Sequence, residues 1–203
     1  MLVPTPILKH LGGADPTLGR VIRKIGPLDI TPQPGGFDRL ARSIMHQSLG
    51  LRAASTIIER VVTRAGGPPL TPERVATLRE RDLITCGLSR PKIRYLRGLA
   101  AAVASGELRL ARLARLSDEA VMEELTKVCG IGQWTAEMYL IFVLSRHDVF
   151  PVLDAGIRAA VGAIYKIPPE RFRAEAPLIA ERWRPYRSIA CRYLWEWLDS
   201  RSK

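Results

Sequence analysis

Cysteine is scarce in this chain: Cys86, Cys129 and Cys191 are the three in 203 residues. Their odd number and wide spacing exclude a disulfide framework. They match neither a zinc site nor the four-cysteine loop of an iron–sulfur cluster. Long apolar runs are missing too. The longest, YLIFVL at 139–144, falls far short of the roughly 20 residues that span a bilayer. The opening MLVPTPILKHLGG has two early prolines and no sustained apolar core of the signal-peptide kind. A reduced cytoplasmic protein is expected, nucleoid-associated if bacterial. No stretch alternates convincingly with a period of two, which argues against sheet. Carboxylates are few: 20 Asp and Glu face 31 Lys and Arg, for a formal net charge of +11, and 25 of the cations are arginine. That excess fits a polyanionic partner, nucleic acid before membrane, since no segment shows a Lys-rich amphipathic pattern.

What is present reads as helix. Hydrophobic residues make up 47% of the chain, enough for a globular core. Phe37, Leu40, Ala41 and Ile44 recur at helical spacing, as do Ala54, Ile57, Ile58 and Val61. Thr71-Pro72-Glu73, Ser89-Arg90-Pro91 and Ser117-Asp118-Glu119 open further helices with a hydroxyl followed by proline or acid. Another helix follows Asp154, carrying Ile157, Ala160, Val161 and Ile164. The class is all-α, with about ten helices at the usual length. Two connectors, IGPLDITPQPGG (25–36) and SRHDVFPV (145–152), set off a central block at 34–149 from flanks 1–33 and 150–203.

One short stretch stands out: KVCGIGQWTAE, residues 127–137. Each glycine inside a helix costs about 1 kcal/mol relative to alanine, so a Gly-Ile-Gly between two helical patterns marks a tight hairpin. Glycine lets another backbone approach closely. Backbone N–H groups at the start of the second helix can then face a phosphate, aided by the helix dipole, and neighbouring carbonyls can hold a monovalent cation. Such a contact reads nucleic acid backbone and not base sequence.

LTKVCGIGQWTAE followed by DVFPVLDAGIRAAV resembles the helix-hairpin-helix DNA glycosylase superfamily, and the Trp-Thr-Ala variant resembles its 3-methyladenine DNA glycosylase II branch. IMHQSLGLRAASTI (44–57), GLSRPKIRYLRGLA (87–100) and WRPYRSIACRYLW (183–195) are similar to further segments of that branch, in order. The resemblance implies a compact form without the β-rich N-terminal domain. In it, a helix-hairpin-helix at about 118–145 lies in the central subdomain, both termini join in a second helical subdomain, and a DNA-binding cleft separates the two.

The resemblance also implies roles. Asp154 is the catalytic carboxylate, stabilising an oxocarbenium-like sugar and positioning water; Leu153 stands where some relatives carry a second acid, and Asp148 is expected to be structural. Trp134 occupies the position of the lysine that forms a Schiff base in strand-cutting members, so no AP-lyase activity is expected. Trp134, Met138 and Tyr186 form the base pocket, where aromatic faces attract a cationic base. Gly130, Ile131, Gly132, Gln133 and Thr135 contact the DNA backbone, Lys92 is a candidate phosphate contact, and the wedge that fills the vacated stack falls at Gln47, Ser48 or Leu49. Backbone carbonyls of Thr126, Val128 and Ile131 match ligands for Na+ or K+; no other cofactor is implied. Trp183, Trp195 and Trp197 are expected mainly in the core.

The expected function is therefore monofunctional excision of alkylated bases, 3-methyladenine and 7-methylguanine, from double-stranded DNA by base flipping in base excision repair, by a monomer with no membrane partner. The alternatives are a glycosylase for another lesion (1-methyladenine or 3-methylcytosine, deaminated or oxidised bases) and a non-catalytic DNA-binding hairpin module.

Overall fold

Helix follows helix from one end of the chain to the other. The computed structural model describes residues 1–201 apart from Pro34 and Ser48, and the side chain of Leu51 is likewise outside the description. In order come α1 (Thr5–Ala14), α2 (Pro16–Ile25), α3 (Gly36–His46), α4 (Leu51–Arg64), α5 (Pro72–Thr77), α6 (Glu80–Thr85) and α7 (Arg90–Ala104). They are followed by α8 (Leu110–Leu113), α9 (Asp118–Thr126), α10 (Gln133–Phe142), α11 (Ala155–Tyr165), α12 (Phe172–Ala180), a 3-10 turn (Glu181–Trp183) and α13 (Arg187–Asp199). The count exceeds the expected ten because α5 and α6 run only six residues and α8 four. Among the described residues the only β pairing is an isolated bridge, Leu2 with Asp29, and no helix is long and apolar enough to cross a membrane.

The chain divides into two units, residues 33–144 and residues 1–32 with 145–203. In the first, α7 packs on α5 and α3, and α3 also supports α4 and α10. Thr71 and Ser117 cap their helices as their sequence suggests, accepting from the N–H groups of Arg74 and Ala120. Ser89 precedes α7 but makes no capping bond. Proline at the first turn fixes φ there without sacrificing a bonded N–H, so that helix starts at the expected place by a different device.

The second unit joins the two ends of the sequence: α13 packs on α11 and α2. α1 tolerates Gly12 because α2 crosses it there; a Cβ on Gly19 would sit 3.1 Å from the Gly12 Cα. Asp15, 2% exposed, pins this unit's core. Its Oδ1 caps α2 through the N–H groups of Thr17 (2.9 Å) and Leu18 (3.0 Å). Its Oδ2 accepts from the Tyr165 hydroxyl (2.7 Å) and the Trp183 indole N–H (3.0 Å). Burial works against the charge, but the indole, the phenol and the two amides together hold the carboxyl below its ordinary pKa. Trp183, fully buried, is thus the core tryptophan that its spacing suggests.

Candidate active site and nucleic-acid interface

In the unit formed by residues 33–144, α9 and α10 enclose the hairpin. Its two glycines serve different ends. Gly130 has φ +92°, and a Cβ there would lie 2.3 Å from the Tyr95 ring, so both backbone and packing demand glycine. Gly132 is extended, with φ −94° and ψ 177°, and a Cβ on it would meet nothing within 4 Å. No internal constraint requires glycine there. Its lack of a side chain leaves the exposed head of α10 bare, where first-turn amides have no intrahelical acceptor, no side-chain cap is made, and no acid sits in the first turn.

The loop after α3 is tied to this hairpin. The Gln47 side-chain amide donates to the Gly130 carbonyl (2.9 Å) and to Thr135 Oγ1 (3.3 Å). Leu49 is half-buried, and Ser48 lies outside the described residues. The Lys92 ammonium donates to the Met45 carbonyl at 2.7 Å, and burial lowers its pKa. It closes the C-terminus of α3, a structural duty the sequence did not suggest. Ile131 and Thr135 are buried at 4% and 2% exposure, which limits any outward contact of theirs to the backbone; Gln133 is exposed, and its amide donates to Glu137 at 2.9 Å. Cys129, at the turn, is exposed, whereas Cys86 and Cys191 are buried.

The Thr126, Val128 and Ile131 carbonyls belong to the same turn. That of Val128 already accepts from the Ile131 N–H at 3.0 Å, and a carbonyl oxygen has a second lone pair. Among the described residues no group of three His, Cys, Asp or Glu side chains could hold a metal. Trp134 and Met138, one turn apart on α10, line a hollow of about 290 Å³ with Phe142, Ile58 of α4, and Arg39, Arg42, Ser43 and His46 of α3.

Asp154 and Tyr186 belong to the other unit. Asp154 is the N-cap of α11 and only 8% exposed. Its Oδ1 accepts from the Ile157 N–H (2.7 Å) and from the Trp195 indole N–H (2.9 Å). Gly156 makes this possible: a Cβ there would lie 3.0 Å from Trp195 Cδ1 and 3.1 Å from Asp154 Oδ1. Trp195 is therefore more than core, a role that its spacing in the sequence does not suggest. The glycine two residues after the acid was the available signal, but nothing in the sequence names a partner 41 positions away. Leu153 is 48% exposed.

The loop leading to Asp154 is fastened to α13. Ser188 Oγ accepts from the Val149 N–H (2.9 Å), and Asp148 pairs with Arg184 (2.7 Å) and Arg187 (2.8 Å). Tyr186 is half-buried and flanked by the rings of His10 and His147, centred 5.4 and 6.2 Å away. Asp154 gives the head of α11 a buried carboxylate, and Gly132 leaves the head of α10 bare, a place where backbone N–H groups can meet an anion.

Known proteins share this arrangement of helices. DNA-3-methyladenine glycosylase 1 of Schizosaccharomyces pombe is 33% identical over 92% of this chain and 84% of its own length. A crystal structure of DNA-3-methyladenine glycosidase from Bacillus halodurans superposes with a TM-score of 0.83 at 32% identity, covering 100% of this chain and 93% of the other. The S. pombe 3-methyladenine DNA glycosylase in complex with abasic DNA gives 0.81 at 31% identity, covering 95% and 96%. Residues 41–185 match the HhH-GPD superfamily of base excision DNA repair proteins, and the chain belongs to that family.

Proposed function

We propose that this protein is a DNA glycosylase that hydrolyses the N-glycosidic bond of alkylated purines, of the 3-methyladenine and 7-methylguanine class, in duplex DNA, and that it leaves the strand uncut. The observation that carries this reading is Asp154, a carboxylate fixed at the head of α11 by two donors on one oxygen. A ring-alkylated purine is already cationic, so its departure needs no strong acid. It needs negative charge beside the developing oxocarbenium and a placed water, and one carboxylate supplies both. Trp134 has no amine, so the Schiff-base route to strand cleavage is closed at that position.

The remaining roles belong to the same proposal. The head of α10, left bare by Gly132, holds a phosphate through backbone N–H groups. Na+ or K+ on the Thr126, Val128 and Ile131 carbonyls would add positive charge beside that phosphate. Trp134 and Met138, which line one hollow, receive the flipped base. Gln47 is bonded to the hairpin, so Leu49 is the better wedge of the two described candidates.

Base release from randomly methylated duplex DNA, resolved by chromatography, tests the reading. Methylated purines should appear, and a denaturing gel should show strand breaks only after alkali. Breaks before alkali would refute monofunctional action; tight binding with no base released would refute the lesion class.

The two glycines should separate in the laboratory. Gly130→Ala forces a left-handed backbone costing about 1–2 kcal/mol, and the Tyr95 contact adds to that, so thermal unfolding should come several degrees earlier. Gly132→Ala should leave the melt within about 1 kcal/mol of the parent and instead weaken binding to undamaged duplex in a titration. Equal melting shifts for both would remove the phosphate role from Gly132.

A further inference from the structure

The hollow between α3, α4 and α10 contains a guanidinium whose donors find no acceptor among the described residues. Its apolar wall comes from Trp134, Met138, Phe142 and Ile58, and the basic side chains Arg39, Arg42 and His46 of α3 also face it. Arg42 is committed to Asp38, its Nε donating to Oδ2 at 2.6 Å, while Asp38 Oδ1 accepts from the Leu70 N–H at 2.9 Å. Arg39 is placed differently. It is half-buried, with its guanidinium carbon 6.0 Å from the centre of the Phe142 ring. Among the described residues no oxygen accepts from its guanidinium N–H groups. Burial and the adjacent Arg42 both disfavour its charge, and Asp38 only partly offsets them. A guanidinium brings five donors and no acceptor, and donors withdrawn from water without partners are unfavourable until a ligand supplies acceptors.

We propose that Arg39 is a specificity-determining residue of this pocket, donating to the 6-oxo edge of an extruded purine and so ranking 6-oxopurines above 6-aminopurines. The assignment rests on the glycosylase reading above and deepens it. 7-Methylguanine and 3-methyladenine both reach the enzyme as cations, so charge does not separate them. Their edges do: the guanine derivative presents a carbonyl oxygen where the adenine derivative presents an amino group. Arginine meets the oxygen as a hydrogen-bond acceptor, as it does in groove recognition of guanine. The amino group would set donor against donor in a half-closed space, the kind of mismatch by which a polar pocket rejects an analogue. Trp134 and Met138 on the same wall argue for a base as the occupant and not a backbone phosphate.

The experiment compares the unsubstituted protein with Arg39→Met and Arg39→Gln. It measures kcat/KM for release of 7-methylguanine and 3-methyladenine from one methylated duplex, and of hypoxanthine, a neutral 6-oxopurine, from a deoxyinosine duplex. Arg39→Met should lower release of both 6-oxopurines by about tenfold or more while 3-methyladenine release holds or rises. Arg39→Gln, which keeps an amide donor, should recover part of the loss. Thermal melts establish that both variants fold. An equal loss for all three bases would overturn the assignment, as would weakened binding of undamaged DNA with a shallower salt dependence, the mark of a phosphate contact. An unchanged 7-methylguanine to 3-methyladenine ratio in Arg39→Met would overturn Arg39's role alone. If the unsubstituted protein released neither methylated purine, the glycosylase reading would fall and this assignment with it.

Discussion

Asp154→Asn is expected to lower base release by about 10²–10⁴-fold, the range over which a positioned acid–base group contributes, while leaving the fold in place. The side-chain oxygen that asparagine retains can still accept from Ile157 at the head of α11 and from the Trp195 indole, and asparagine caps helices about as well as aspartate. What the substitution removes is the negative charge. Single-turnover release from methylated DNA, set beside a thermal melt, separates the two effects. A variant that melted normally and still turned over would show that the chemistry lies elsewhere; one that unfolded would show that the cap tolerates less than its geometry indicates. Trp195→Phe makes the complementary test, since the ring stays and the donor goes. Its loss should be about three- to tenfold, as for one ordinary hydrogen bond, and should fall on kcat with KM little changed, because the carboxylate is then less firmly held.

The second large effect is on stability and has no bearing on the chemistry. Asp15→Ala strands the Tyr165 hydroxyl, the Trp183 indole and two amides at the start of α2 in a buried place. Breaking a buried charged network by deleting one partner costs about 3–5 kcal/mol, a large share of the roughly 5–15 kcal/mol that holds a domain together. The urea midpoint should drop accordingly, by more than for any exposed carboxylate. The pH dependence follows from the lowered pKa of Asp15. A carboxyl depressed in the folded state contributes stability that is fully present above its unfolded value of about 3.9. That contribution is lost as pH falls through the folded value. The parent should therefore lose stability on acidification below about pH 4 by an increment that Asp15→Asn lacks. Parallel curves for the two proteins across that range would show that Asp15 does not titrate with unfolding.

The parts of the site that could be read from the sequence are those whose physics is local. The hairpin could be recognised because two glycines and the flanking helical patterns lie within eleven residues, and helix starts at Thr71 and Ser117 carry their own caps. Asp154 could be placed because the acid immediately precedes the helix that it caps. Partners distant in the chain left no such mark. Asp15 meets Trp183 across 168 positions, Gln47 meets Gly130 across 83, and Trp195 meets Asp154 across 41. Helical periodicity says which positions of a helix face inward, and it cannot say which distant groups will hydrogen-bond. Arg39 is a related case: in sequence it is one of 25 arginines, and only the commitment of Asp38 to Arg42 and Leu70 sets it apart.

The exposure of Cys129 gives the molecule a ready-made reporter. Two of its three thiols, Cys86 and Cys191, are shielded, while the third stands at the turn beside Gly130. A maleimide dye added to the folded, unsubstituted protein should therefore attach at the hairpin, next to the surface proposed to grip phosphate. Its emission would follow duplex capture and release in real time, without an engineered cysteine and with Asp154 left as it is.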